Sequence, residues 1–437
     1  MSSTHRWPRW GLLALIGLAL SWLISCSSPT PSNPASPTGA AGPVEIEFWT
    51  MQLQPKFTDY FNRLIAEFEQ ANPTVKVRWV DVPWAAMESK ILTAVSANTA
   101  PDVVNLNPNF ASQLASQGAW LTLDDRLTPE QKALYLPNIW QASTLNGKSF
   151  GLPWYLTTRI TIYNTDLCQQ AGISQPPATY AELANVARQI REKTGKYAFF
   201  VTFAPDDSAE VLESLVQMGV DLVDDQGKAA FNTAKGKAAF QYWVDLYQDG
   251  LLPREVLTQG HRRAIELYQA GETAILSSGP EFLSTIATNA PRIAEVSDVA
   301  PQISGETGKK NVAVMNLVIP RQTDQPDTAL NFALFVTNDT NQLAFAQAAN
   351  VLPSTQKALR DRYEENQAAA ANSALEKARA VSASQMQTAE VLVPAMKDIS
   401  VLQRLIYDNL QAAMLGEKTV EAAINDAATA WNQRHST

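Results

Sequence analysis

Strand-like alternation opens the folded part of the chain. "VEIEFWT" (44–50) places apolar and polar side chains on alternate faces, the period-2 mark of a half-buried strand. From Pro55 the period lengthens. Phe57, Phe61, Leu64, Ile65 and Phe68 recur at helical spacing, and Asn72-Pro73 stops the helix they predict. "VKVRWVDV" (75–82) alternates again, a helix is expected around Met87–Ser96, and "APDVVNL" (100–106) supplies a third strand. This order predicts a parallel sheet covered by helices. Farther on, "ITIYN" and "YAFFVTF" predict strands separated by a helix near Tyr180–Lys193. "AKGKAAFQYWVDLYQDGLL" predicts a helix with Phe240, Trp243, Val244 and Tyr247 on one face. "VAVMNLVIP" returns to strand, and most of Asn341–Trp431 reads helical.

The first 43 residues follow neither period. Residues 1–25 carry Arg6, Arg9 and no acid, and the uncharged run Gly11–Ile24 falls short of the about 20 apolar residues that span a bilayer. A positive start, a short apolar core and small residues before a break predict an export signal. Its ending, "LISC", resembles the bacterial lipobox, which implies cleavage before Cys26 and lipid on that residue. The tract Ser27–Pro43 holds five prolines and no charge, so it reads as an extended spacer between anchor and folded part. Of the two cysteines, Cys168 is then left without a partner, and no internal disulfide is expected.

Charge and length narrow the picture further. The net charge is −9, and removal of the signal makes it more negative; no Lys/Arg cluster stands out, so nucleic acid is not an expected partner. The chain is longer than one hydrophobic core usually serves, and two domains are expected. Catalytic patterns are sparse. With His5 in the signal and His435 at the end, His261 alone is available, which leaves a His-dependent triad or multi-histidine metal site poorly supported. No Walker A sequence occurs. The acid pairs Asp124-Asp125, Asp206-Asp207 and Asp224-Asp225 keep an exported glycosidase as an alternative, since that chemistry needs only two carboxylates.

Several segments in order carry a family resemblance: "EFWT", "LIAEFEQANPTVKVRWV", "APDVVNL", "GKSFGLPWYLTTRITIYNTDL", "FNTAKGKAAFQYWVDLYQDGLLP", "YQAGETAILSSGP", "VAVMNLVIP" and "AQAANVLPSTQKA". The chain resembles the family 1 extracellular solute-binding proteins of ABC importers, which include maltose-, trehalose-, multi-sugar- and glycerol-phosphate-binding members. The resemblance implies an α/β, two-lobed periplasmic-binding-protein fold (type II-like). Its discontinuous lobes are joined by a hinge, and the ligand sits between them. Expected boundaries are 1–25 for the signal and 26–43 for the lipidated Cys26 and linker. Residues 44–157 with 314–350 would form lobe 1, and 158–313 with 351–437 lobe 2. Two departures fall at the implied cleft: "GPEF" places Glu281 where members often carry an aromatic residue, and Met315-Asn316 stands where many have small residues.

A sugar offers C–H patches to aromatic faces and a rim of hydroxyls to amides, carboxylates and Arg. Such types gather at strand ends, where open α/β sheets bind ligands. The candidates are Trp49 and Gln52 after the first strand, Trp84 after the second, and Asp102 and Asn107 flanking the third. Trp154, Tyr155 and Arg159 lie beside the presumed hinge, and Asp206 and Asp207 follow "YAFFVTF". Gly279, Glu281 and Phe282 form a turn, and Asn316 lies on the returning strand. Each has a plainer alternative: Trp49 as core, Asp102 as a turn cap, Arg159 as partner of a carboxylate in its own chain. The expectation is a monomeric, lipid-anchored binder, without cofactor or catalysis, that delivers a sugar or glycoside to importer permease subunits. Glycerol-3-phosphate or its diesters are the runner-up, and an importer-linked sensor is a third reading.

Overall fold

The computed structural model describes residues 42–205, 207–368, 373–386, 388–393 and 396–435. The expected signal, Cys26 and Asp206 lie outside them. Strand Val44–Met51 pairs in parallel with Val75–Val82 on one side and Val103–Leu106 on the other. The helices between them are Thr58–Ala71 and Trp84–Ser96. Phe61, Leu64 and Phe68 are buried as their spacing requires, and the Asn72 N–H closes the first helix on Phe68 and Glu69 carbonyls. Trp84, which follows the second strand, is the first residue of the second helix.

The return strand Lys310–Val318 enters this sheet antiparallel, between Val103–Leu106 and Leu152–Thr158. Leu352–Pro353 adds an edge beside Leu152–Thr158. A second, antiparallel sheet has Ile160–Asn164 between Ile275–Ser278 and Ser297–Pro301. Between the strands Ile160–Asn164 and Ile275–Ser278, helix Tyr180–Thr194 carries the Thr179/Glu182 capping box and ends at Gly195, whose φ of 70° suits glycine.

One expected strand is absent. The segment 197–203 is buried from Ala198 onward but joins no sheet; Tyr197 bridges Thr273, and the Phe203 N–H goes instead to the Val256 carbonyl. Its hydrogen bonds are split among separate partners, so apolar composition alone gave burial without a ladder.

Two cores result. The first unites residues from Ile46 to Tyr155 with others from Met315 to Val351; the second unites Ile160 to Ile303 with Ala378 to Trp431. A third, small cluster forms where the chain passes between them: Leu156, Val312, Val314 and Leu352, with Ala383 and Ala389. Helix Ala374–Gln385 is laced onto these passages. Its Arg379 donates to the Asn350 side chain (2.6 Å from Nη2), Ser382 meets Thr158 (2.9 Å), and Gln385 donates to the Arg159 carbonyl (3.1 Å). Away from the passages, helix Ile399–Met414 of the second lobe meets helix Pro108–Ala115 of the first.

Candidate functional site

The parallel strands of the first lobe end together at Gln52, Trp84 and Asn107. Gln52 has φ of 54°, a region that non-glycine residues occupy at a cost. It is held there because its N–H donates to the Val82 carbonyl (2.9 Å) and its side-chain oxygen accepts from the Trp84 N–H (3.3 Å). Asp81 fixes the same loop, accepting from the Thr50 hydroxyl (2.7 Å) and the N–H groups of Leu53 (2.9 Å) and Gln54 (3.0 Å). Trp84 therefore stands on a braced platform, yet its ring is 43% exposed. A large apolar face held open at a fixed helix start suits the C–H patch of a sugar. Asn107 spends its oxygen on the Phe110 N–H (3.0 Å) as a helix cap.

Tyr155 lies on the strand entering the second lobe and is almost fully buried. Burial first, then the Glu281 and Asp81 carboxylates, raise its phenol well above the ordinary range. Asp81 belongs to the first lobe and Glu281 to the second, so Tyr155 feels both walls of one cleft. Glu281 follows strand Ile275–Ser278 and is pushed up to about 7 by burial, against the pull of its own backbone N–H, Arg159 and Lys56. Its Oε2 has no hydrogen-bond partner among the described residues. Gly279 permits this placement, since a Cβ there would sit 2.1 Å from Glu281 Oε2. Phe282 begins the next helix, its ring 6.3 Å from that of His261.

The second-lobe wall is ionic. Arg159 donates from Nε to Glu213 (3.2 Å) and from Nη2 to Ser208 (3.0 Å), and its Nη1 lies 3.7 Å from Glu210. Burial alone would lower its pKa, but Glu210 and Glu213 outweigh that and hold it above the usual value. Arg159 is thus occupied by its own chain, the plainer of the two roles expected for it. Asp207 accepts from the His261 N–H (2.7 Å), and His261 Nε2 lies 3.1 Å from the Ser278 hydroxyl. Burial, then Arg159, depress His261 to about 4, opposed by Asp207. An imidazole neutral in the fold but protonated when unfolded favours the native state above pH 6.5, and that contribution fades as pH falls toward 4. Melting temperature should therefore drop more steeply between pH 6.5 and 4 in the unaltered protein than in His261→Gln.

Four candidates stand elsewhere. Trp154, expected at the cleft, is fully buried in the first core, stacked on Phe345 at 4.9 Å and 22°. Trp49 is buried in the same core under the Lys90 ammonium (4.1 Å), with its indole N–H on Glu47 (2.6 Å). Asp102 precedes the strand Val103–Leu106, at the end remote from Asn107, and its carboxylate accepts from the Glu47 N–H (2.7 Å) and the Thr323 hydroxyl. Asn316 is fully buried, accepting from the Ser143 hydroxyl (2.5 Å) at the bulge of the return strand. Other titratable groups act on Tyr155, Glu281 and Arg159 and were not among the ligand candidates: Lys56 and Asp81 on the first-lobe side, and Glu210, Glu213 and His261 around Arg159. Only Asp81 left a local trace, as an acid closing the alternation of "RWVDV".

Among the described residues, no group of three or more His, Cys, Asp or Glu side chains is placed to hold a metal ion, and no helix is long and apolar enough to cross a membrane.

The model of the bacterial extracellular solute-binding protein family matches residues 54–343. Among curated relatives, the diacetylchitobiose-binding protein DasA of Streptomyces coelicolor is 25% identical over 424 residues, 94% of this chain and 96% of its own. The mannitol-binding protein of Pseudomonas aeruginosa is 24% identical, covering 67% of this chain and 70% of its own. Among solved structures, a putative oligosaccharide periplasmic-binding protein from Synechococcus sp. MITs9220, in complex with zinc, is 48% identical with a TM-score of 0.86, over 90% of this chain and 99% of that one. The maltose-bound MalE3 of T. maritima, 22% identical with a TM-score of 0.74, shares the two-lobed fold. With two α/β lobes around a polar cleft and a family match across most of its folded part, the chain belongs to the bacterial extracellular solute-binding proteins.

Proposed function

We propose that the protein is the lipid-anchored, extracytoplasmic solute-binding component of an ABC importer, and that it captures a sugar or glycoside between its lobes and passes it unchanged to the permease. Lobe 1 is assigned to 44–157 with 314–350, lobe 2 to 158–313 with 351–437, and Cys26 to the anchor. What supports the reading is that Tyr155, beside the passage between the lobes, feels both Asp81, which fixes the loop of Gln52 and Trp84, and Glu281, which leads into Phe282. Asp207 joins the same wall through His261. A solute touching both walls stabilises the closed form, which a contact with one wall does not. The sugar-binding names among the relatives agree with this ligand class. Phosphate recognition calls for several free cations; of the two that act on Glu281, Arg159 is tied to Glu213 and Glu210 and Lys56 is exposed, so a neutral sugar or glucosylglycerol-like solute is preferred to glycerol-3-phosphate.

Trp84→Ala tests the reading. Removing an exposed ring should leave the melting temperature of the free protein within about a degree. It should weaken binding of the recognised sugar about tenfold, or about 1.4 kcal/mol, in calorimetric titration. Unchanged affinity would remove Trp84 from the site.

A further inference from the structure

A small cavity opens at the base of the cleft, where the chain passes between lobes, lined by Thr158, Glu281, Asn350, Arg362, Arg379 and Ser382. It has room for a water-sized group. Most of its polar lining is internally matched. Thr158 and Ser382 bond each other, Arg379 is forked onto Asn350, and Arg362, nearly fully buried, has partners of its own. Glu281 differs. Its Oε2 is shielded from solvent and has no donor among the described residues. A shielded carboxyl oxygen without a donor is costly to keep, so a donor arriving with a ligand gains more there than at an already matched group.

The charges around Glu281 set which donors fit. Arg159 from the strand Leu152–Thr158 side and Lys56 from the first-lobe loop attract it, and Tyr155 faces it with a neutral phenol. Arg159 is already committed to Glu213 and Glu210. Arg362 and Arg379 line the same cavity from helices Gln356–Ala368 and Ala374–Gln385. An anionic ligand oxygen meeting Glu281 finds a second acceptor, with Arg159 held by Glu213 and Glu210, Arg379 by Asn350 and Lys56 over the Phe57 ring (5.3 Å), whereas a hydroxyl finds the partner it lacks in a closed site.

We propose that Glu281 determines which solute the closed cleft accepts: its unmatched Oε2 takes a hydroxyl donor of a neutral sugar or polyol at the hinge and turns away solutes that bring a carboxylate or phosphate there. This rests on the sugar-binding reading above. The turn Gly279–Glu281 is the device that aims it. The glycine leaves space for the carboxyl to fold back over the strand end, and the helix Phe282–Asn289 fixes the turn from behind.

The test uses the purified protein with maltose, trehalose, mannitol and glucosylglycerol as neutral probes, and glucuronate and glycerol 3-phosphate as anionic ones. Thermal shift selects the neutral probe, and calorimetry then compares the unaltered protein with Glu281→Gln and Glu281→Leu. Glu281→Leu should bind the neutral probe about tenfold or more weakly, the loss expected for a buried hydrogen bond to a carboxylate. Glucuronate keeps its charge across neutral pH, so the unaltered protein should reject it more strongly at pH 8, where Glu281 ionises, than at pH 6. Glu281→Gln should bind it more tightly and equally at both values. Because Gln preserves shape and an acceptor oxygen, it keeps the test open if the Leu variant folds poorly. Neutral affinity within twofold in both variants, or glucuronate still refused by Glu281→Gln, overturns the proposal and leaves Glu281 a hinge residue matched by water. If no neutral probe shifts even the unaltered protein, the sugar-binding reading itself falls.

Discussion

Trp154→Ala should lose about 3–5 kcal/mol of stability, as large-to-small changes of fully buried aromatics do, with little change in sugar affinity where the variant remains folded. Trp154 has no exposed surface and sits among Phe48, Phe61, Tyr155 and Phe345, with ring centroids 4.9–6.4 Å away. Removing it opens a cavity in the middle of the first core that rigid aromatic neighbours cannot close. Its indole N–H has no partner among the described residues, so part of the ring's gain is already offset by an unmatched donor. Trp154→Phe, which keeps a ring and deletes that N–H, should therefore cost much less than Ala. Urea denaturation read by far-UV circular dichroism measures both. A stable Trp154→Ala that no longer binds sugar would instead put the ring on the cleft.

The second large effect is electrostatic. Arg159→Met should destabilise by about 3–5 kcal/mol, the usual result of leaving buried charges without their partner. Arg159 is the counter-ion of both Glu210 and Glu213, and Glu213 is already raised by burial even with the guanidinium present. Without it, Glu213, which burial already raises, protonates at still higher pH in the fold than in the unfolded chain. Native protein then binds more protons than unfolded protein, and stability falls as pH rises. The gap between variant and unaltered protein should accordingly widen from pH 5 to pH 8. Arg159→Met with Glu213→Gln should recover part of the loss, because one stranded charge is gone. A gap independent of pH would show that the cost is lost packing of the Arg stem.

These cases mark what local sequence conveys. The helix Thr58–Ala71 was legible because Phe61, Leu64 and Phe68 keep one period and Asn72 ends it, all within a few residues. The strands Val44–Met51 and Val75–Val82 were legible for the same reason. Trp154 and Tyr155 show the limit. Adjacent residues on a strand point to opposite faces, and the pattern says that one ring goes inward without saying which. Tyr155 senses Asp81 and Glu281, whereas Trp154 stacks on Phe345, and both facts depend on residues far away in sequence. Asp102 was legible as the acid before the third strand, but its partners, the Glu47 N–H and the Thr323 hydroxyl, come from distant segments that no local pattern states. Arg159 was recognised as a charge near the hinge, and the choice between ligand and Glu213 was settled by a helix that begins at Glu210.

The central claim is that a two-lobed clamp holds a small carbohydrate and leaves it chemically intact. Native mass spectrometry of the purified protein, incubated with the neutral probes, tests it most directly. One retained sugar per chain is expected, released on denaturation at its original mass, with loss of that adduct in Trp84→Ala. A chain that retains none of them, or releases one hydrolysed or otherwise altered in mass, would contradict it.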